Sequence, residues 1–150
     1  MNPSLRRSRA AGFTLIEIMV VVVILGILAA IVVPRIMDQP DKARVAKAKQ
    51  DIQVLGTALD LYKLDNYAYP STQQGLQALV NPPQGDPPAP NWKPGGYIQK
   101  LPTDPWGHPY QYLYPGVKDP NGYDLYTLGA DGKPGGDGIN ADIGNWDLGG

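Results

Sequence analysis

The chain has 150 residues with 13 Lys and Arg against 14 Asp and Glu, a formal net charge of −1, one histidine and no cysteine. So balanced a charge excludes nucleic acid as an expected partner, and the absence of cysteine excludes a disulfide framework and thiol catalysis. The length admits one modest core beyond any membrane segment.

A basic leader carrying Arg6, Arg7 and Arg9 and no acid runs to Gly12. An almost unbroken apolar run extends from Phe13 to Val33, interrupted only by Thr14, Glu17 and Gly26. At a helical rise of about 1.5 Å per residue it spans roughly 31 Å, close to the hydrocarbon thickness of a bilayer. Apolar on every face, such a helix meets lipid or other helices. The positive-inside rule keeps the leader cytoplasmic and sends everything after Val33 across the membrane. A cleaved secretory signal also begins with a basic stretch and an apolar run, and Arg6-Arg7 hints at a twin-arginine type. Against that reading, the run exceeds the usual h-region of about 7 to 15 residues and continues through Pro34-Arg35 without a small-residue cleavage site. A carboxylate costs about 2.5 to 3.5 kcal/mol at the bilayer centre and less near the interface, so a disposable signal has no reason to carry Glu17.

Gly12-Phe13-Thr14-Leu15-Ile16-Glu17 followed by an apolar stem resembles the class III signal of type IV pilins and type II secretion pseudopilins. The resemblance implies that a prepilin peptidase cuts between Gly12 and Phe13, that the new amino group of Phe13 is methylated, and that the stem stays in the product. Residues 1–12 would be the cleaved leader, 13–33 the transmembrane and filament-core helix, and 34–150 a periplasmic head. Glu17 would then pair with the charged N-terminus of a neighbouring subunit; the alternative is that it snorkels to the headgroups. Removing the leader takes three of the 13 basic residues, leaving 10 against 14 acidic.

Past Pro34 and Pro40, which are expected to bend or interrupt the stem, Val45, Ala48, Ile52, Leu55, Leu59 and Tyr62 recur at spacings of 3, 4, 3, 4 and 3. This is the apolar stripe of an amphipathic helix, with Lys42, Arg44, Lys47, Lys49, Asp51, Gln53 and Asp60 mostly on the wet side. The helix should stop near Leu64, ahead of the turn pair Asp65-Asn66 and of Tyr69-Pro70. Ser71 and Gln74 fit a capping box for a short helix through Leu76, Leu79 and Val80, weakened by Gly75. Residues 81–96 are rich in proline and glycine and read as a loop, with Trp92, Tyr97 and Ile98 anchoring its end.

The stretch Leu101 to Tyr110 imposes tight turns around an apolar plug, Trp106. Beyond it come a strand over Tyr110–Tyr114 and a returning strand over Tyr123–Leu128. Two or three antiparallel strands against the helix make an α+β head. His108 has no cysteine or nucleophile nearby and reads as a turn residue, not a catalyst or ligand.

The last informative segment, Leu128 to Asp147, carries hard oxygen donors on a glycine-rich backbone, the chemistry of calcium, which takes about 6 to 8 oxygens. Asp131, Asp137, Asn140 and Asp142 offer side chains, but the EF-hand spacing is absent. On the residues alone, aspartates solvated in a turn-rich tail are the simpler reading.

Asp104-Pro105-Trp106-Gly107, Leu128-Gly129-Ala130-Asp131-Gly132 and Asp142-Ile143-Gly144-Asn145-Trp146 resemble stretches of the major pseudopilins of type II secretion, whose corresponding loop binds calcium. The resemblance implies Ca2+ held by the side chains of Asp131 and Asp142 and the backbone carbonyls of Leu128 and Lys133, with Asn140 or Asp137 completing the shell and Trp146 packing beneath. It further implies a pilin-like α+β fold with a long N-terminal helix, a small antiparallel sheet and a C-terminal calcium loop. The expected role is non-enzymatic: a single-pass inner-membrane subunit, N-terminus cytoplasmic, that polymerises into a periplasmic filament and drives folded proteins through an outer-membrane secretin. Expected partners are further copies of itself, minor pseudopilins, the prepilin peptidase, a platform membrane protein and an assembly ATPase. The alternative is a type IV pilin for adhesion or motility, but such pilins usually close a C-terminal loop with a disulfide. An exported binding domain or enzyme on an uncleaved anchor would need a polar or catalytic constellation in the head, and the sequence offers none.

Overall fold

Thr14 stands immediately before a 52-residue helix, α1, spanning Leu15–Asn66, and its Oγ1 accepts the backbone N–H of Glu17 at 3.2 Å. This is the bond of an N-cap to the third helical residue, where a carboxylate also complements the positive end of the helix dipole. The structure, a computed structural model, describes residues 11–149; Arg6, Arg7 and Arg9 of the leader lie outside that range. The chain divides into two units, the first ending at Gln39 and the second comprising Pro40–Gly150.

In the first unit the helical window Leu15–Val32 has none of its residues buried and is long and apolar enough to cross a membrane. The expected interruption at the prolines is not found, since α1 is helical through both Pro34 and Pro40. Each proline removes a single N–H donor from the ladder, at a cost of about 3 kcal/mol.

In the second unit α1 lays down the core. Ala48, Ile52, Leu55, Leu59 and Tyr62 of the predicted stripe are buried, and Val45 packs partly against them. Each fully buried Ile or Leu contributes about 1.5 to 3 kcal/mol. Asp51 departs from the expectation of a wet position: it is 8% exposed, bonded to Lys47 Nζ on one oxygen and receiving the Tyr110 hydroxyl at 2.9 Å on the other. A buried carboxylate needs such partners. The helix ends at Asn66, and Tyr67 takes a left-handed φ of 68° while its N–H closes on the Lys63 carbonyl at 2.7 Å.

The capping box at Ser71 is present in both directions, with Ser71 N–H to Gln74 Oε1 at 2.9 Å and Gln74 N–H to Ser71 Oγ at 3.2 Å. It opens a turn and then the expected short helix, which is a 3-10 helix over Leu76–Leu79. Gly75 lies at φ 60°, outside the right-handed helical region, and breaks the first turn. Residues 81–96 form no helix or strand. Gln74 Nε2 donates to the Pro87 carbonyl at 2.8 Å and Trp92 Nε1 to the Ala78 carbonyl at 2.8 Å, tying this loop to the capped turn.

The sheet has three antiparallel strands in the order β1 (Gln111–Leu113), β2 (Asp124–Thr127) and β3 (Ile143–Gly144). Tyr112 faces Leu125, and Thr127 faces Ile143. The third strand carries no alternating pattern because it is two residues long. It nonetheless makes Leu128–Asp142 the connection of a β2–β3 hairpin.

Burial raises the Tyr110 phenol well above its ordinary value, with the Asp51 carboxylate adding to the shift. Burial likewise raises Tyr112 and pushes Tyr123 up to about 12. The folded state therefore keeps phenolic protons that the unfolded chain releases near pH 10. Their contribution to stability is complete below about pH 10 and is lost as pH rises through the elevated values. Thermal unfolding of the full chain in detergent micelles is expected to show a Tm that falls steeply above about pH 10, with a large part of the tyrosinate absorbance appearing only as the protein unfolds. All of the tyrosinate absorbance forming while the protein is still folded would contradict this.

Candidate functional site

Two places in the chain carry the residues singled out by sequence. The first is the junction at Gly12-Phe13. Residues 11–14 precede α1 in a non-helical segment, Phe13 is 79% exposed, and Glu17 is exposed in the first helical turn. A peptide bond just outside a helix is open to a protease, whereas one inside would first require the helix to unwind. The sequence reading of Glu17 overlooked Thr14, although Thr-x-x-Glu ahead of an apolar run is itself a capping signal.

The second is the Leu128–Asp142 hairpin connection. The β2–β3 ladder sets its two ends opposite each other, because Leu128 follows Thr127 and Asp142 precedes its partner Ile143. Inside the loop, Ala130 N–H reaches the Ile139 carbonyl at 2.8 Å and Gly132 N–H the Gly129 carbonyl at 3.3 Å. Asp131 Oδ1 accepts the Lys133 N–H at 3.1 Å, and Asp142 Oδ2 accepts the Gly135 N–H at 3.0 Å. Asp137 caps a 3-10 turn, Gly138–Asn140, that Asn140 ends, and both are exposed.

Leu128 and Asp142 line a cavity of about 220 Å³ together with Tyr126, Pro134, Trp146, Lys118 and Asp124. Trp146 packs 5.5 Å from Tyr126 between ring centroids, and Lys118 Nζ lies 5.0 Å over the Trp146 ring. Of the six residues named for the ion, the geometry brings Leu128 and Asp142 to this cavity and ties Asp131 to Lys133; it does not bring Asp137 or Asn140 to the cavity. Among the described residues no group of three or more His, Cys, Asp or Glu side chains is assembled for a metal.

One atom fits a cation directly. Asp142 Oδ1 is buried and has no hydrogen-bond partner. A carboxylate oxygen withdrawn from water costs several kcal/mol unless something positive or proton-donating meets it. The remaining donors, peptide carbonyls and carboxylates on a glycine-rich loop, are of the hard-oxygen type that calcium takes.

The turn from Asp104 to His108 also reaches this loop, which the sequence did not reveal. Asp104 Oδ1 accepts the N–H groups of Trp106 and His108 at 3.0 and 2.8 Å, and His108 Nδ1 lies 3.2 Å from the Gly129 carbonyl. The reading of His108 as a turn residue therefore describes its backbone, while its ring touches the loop.

A helical stem with an exposed, capped N-terminal junction and a small antiparallel α+β head defines the pilin-like class of protein. The family description "Type II secretion system (T2SS), protein G" matches residues 35–146, and "Prokaryotic N-terminal methylation motif" matches residues 7–33. The chain belongs to the type II secretion system protein G family. It is similar to type II secretion system core protein G of Pseudomonas aeruginosa, with 65% identity over 143 residues covering 95% of this chain and 99% of that one. It is 56% identical to the core protein G of Vibrio cholerae over 140 residues, covering 93% of this chain and 94% of the relative. Among solved structures, the major pseudopilin from the type 2 secretion system of enterohaemorrhagic Escherichia coli aligns with a TM-score of 0.66 at 45% identity, covering 77% of this chain and 96% of that one.

Proposed function

We propose that this chain is a major pseudopilin, a structural subunit and not an enzyme, which polymerises into the periplasmic pseudopilus of a type II secretion system and so drives export of folded proteins through the outer membrane. The observation that carries the reading is family membership along nearly the whole chain, together with an apolar stem whose window Leu15–Val32 has none of its residues buried among the described residues. Such a helix is stable only in lipid or among copies of itself.

In this reading a prepilin peptidase cuts between Gly12 and Phe13 and the new Phe13 amine is methylated. The stem leaves the inner membrane, N-terminus first on the cytoplasmic side, and enters the filament core. Glu17 meets the amine of a neighbour, so that each charge offsets the other's desolvation. Minor pseudopilins, a platform membrane protein and an assembly ATPase complete the machine.

Calcium belongs to the same proposal. Leu128 and Lys133 would offer backbone carbonyls, Asp131 and Asp142 carboxylates, and Asp137 or Asn140 the remaining oxygen. When bound, the ion supplies a cross-link between loop oxygens in a head without disulfides. A weak extracellular-type site, with Kd of about 10⁻⁴ to 10⁻³ M, suffices for that.

Two measurements test the two parts separately. Mass spectrometry of the chain made with the peptidase should find a product beginning at methylated Phe13, and without it the intact leader; a cut beyond Val33 would sink the assembly reading. Thermal unfolding of the full chain in micelles, with calcium about tenfold above its Kd, should show stabilisation of about 1.4 kcal/mol, a few degrees in Tm, that a chelator removes. Asp142→Ala should make the Tm indifferent to the chelator. A wild-type Tm that ignores calcium would end the ligand assignment and leave the assembly reading standing.

A further inference from the structure

We propose that Asp104, Thr127 and His108 are positioning residues that clamp the Gly129 peptide and so pre-organise the first leg of the Leu128–Asp142 loop for a divalent cation. The inference rests on the calcium reading above and deepens it.

Gly129 is held at both of its polar groups by side chains from outside the loop. Its N–H donates to Thr127 Oγ1 at 3.2 Å, and its carbonyl lies 3.2 Å from His108 Nδ1. A carbonyl only accepts, so Nδ1 carries the proton in this contact. The Thr127 hydroxyl in turn donates to Asp104 Oδ2. A hydroxyl that has donated its one proton must accept from Gly129, so the chain of bonds has a single direction: peptide N–H to hydroxyl to carboxylate.

Asp104 also governs the other half of the clamp. Its Oδ1 takes the N–H groups of Trp106 and His108 and thereby sets the His108 backbone. Its side chain is wholly removed from solvent, and Thr127 is fully buried. Burying a carboxylate is costly, and an apolar core at this point would be cheaper. Its acceptor bonds lead to the loop's first leg through Thr127 and His108.

The loop backbone is shaped to receive the clamp. Gly129 adopts φ +74°, and a Cβ there would stand 2.8 Å from the Ala141 and Ile139 carbonyl oxygens. The His108 ring covers Gly132, whose Cβ would meet Cε1 at 3.2 Å. Leu128 precedes this fixed stretch and Asp131 lies within it. Holding ligand-bearing backbone in place before the ion arrives lowers the ordering cost of binding, and partners that orient metal ligands are worth about 10- to 100-fold in affinity.

The test titrates the full chain in detergent micelles with calcium chloride by isothermal calorimetry, alongside amide hydrogen exchange of residues 128–133 without calcium. Thr127→Val and His108→Ala are expected to weaken calcium at least about tenfold and to speed exchange at Gly129 and Gly132, while Thr127→Ser keeps both near wild type. Asp104→Asn should behave as Thr127→Val. If it fails to fold, His108→Ala still decides, because the half-buried ring can be removed without opening the core. Wild-type affinity in both Thr127→Val and His108→Ala overturns the clamp and leaves the calcium reading intact. A wild-type chain that takes up no calcium overturns both.

Discussion

Asp124→Ala is expected to lower the stability of the full chain in micelles by about 3 kcal/mol, on the order of 10 °C in Tm. Asp124 is 2% exposed and opens β2. Its Oδ2 accepts the N–H groups of Val117 and Lys118 at 2.8 and 2.9 Å, and its Oδ1 that of Asp119 at 3.1 Å. Three donors converging on one carboxylate shape the connection between β1 and β2. Hydrogen bonds to a charged acceptor are worth about 1.5 to 3 kcal/mol each, but residues 117–119 are exposed and water recovers part of the loss. Gly116 lies so close that a Cβ on it would meet Asp124 Oδ1 at 2.5 Å, so the carboxylate is packed against bare backbone. Asp124→Asn should cost less, since one oxygen can keep Val117 and Lys118 while the amide faces Asp119 N–H without a bond. Urea unfolding midpoints of the two variants check the order, and a loss below about 1 kcal/mol for alanine would show that the turn is held by something else.

The parts legible in sequence are those whose physics is local. The stem reads from unbroken apolarity, the packed half of α1 from its 3 and 4 spacing, and the box at Ser71 and Gln74 from two residues three apart. Each is decided by neighbours along the chain. The parts that were not legible depend on what comes close in space. Asp51 sits beside the stripe and looks solvated until Tyr110 and Lys47 meet it. The third strand is two residues, Ile143 and Gly144, too short for any alternation to show. Its pairing with Tyr126 and Thr127 is what brings the two ends of the loop together.

The candidate ion site divides in the same way. Oxygen-rich residues on a glycine-rich backbone were visible from composition, but the sequence could not say which oxygens are left without partners. Asp131 spends one oxygen on the Lys133 N–H, and Asp142 spends one on the Gly135 N–H while the other stays buried and unmet. That asymmetry, and not the count of aspartates, singles out Asp142. The contribution of His108 was hidden for a similar reason, because it acts across 21 residues of sequence on a backbone carbonyl.

Gly129→Ala should destabilise the head far more than Gly135→Ala, although both glycines lie in the same loop at nearly the same left-handed φ, 74° and 79°. A non-glycine residue in that region costs about 1 to 2 kcal/mol, and this is all that Gly135→Ala should lose, because nothing lies within 4 Å of its added Cβ. At Gly129 the new methyl would stand 2.8 Å from the Ile139 and Ala141 carbonyl oxygens and the Asn140 carbonyl carbon. All three are backbone atoms, fixed by the Ala130 to Ile139 bond and by the start of β3, so none can swing aside as a side chain would. Overpacking of this kind adds about 1 to 3 kcal/mol to the conformational cost. The expected totals are about 1 to 2 kcal/mol for Gly135→Ala and about 2 to 5 kcal/mol for Gly129→Ala, read as urea midpoints of the full chain in micelles. Calcium should restore little to the second variant, since the leg it displaces carries Leu128 and Asp131. Equal losses at the two glycines would mean that the legs of the loop are not packed together at Gly129, and the hairpin geometry that joins Leu128 to Asp142 would have to be abandoned.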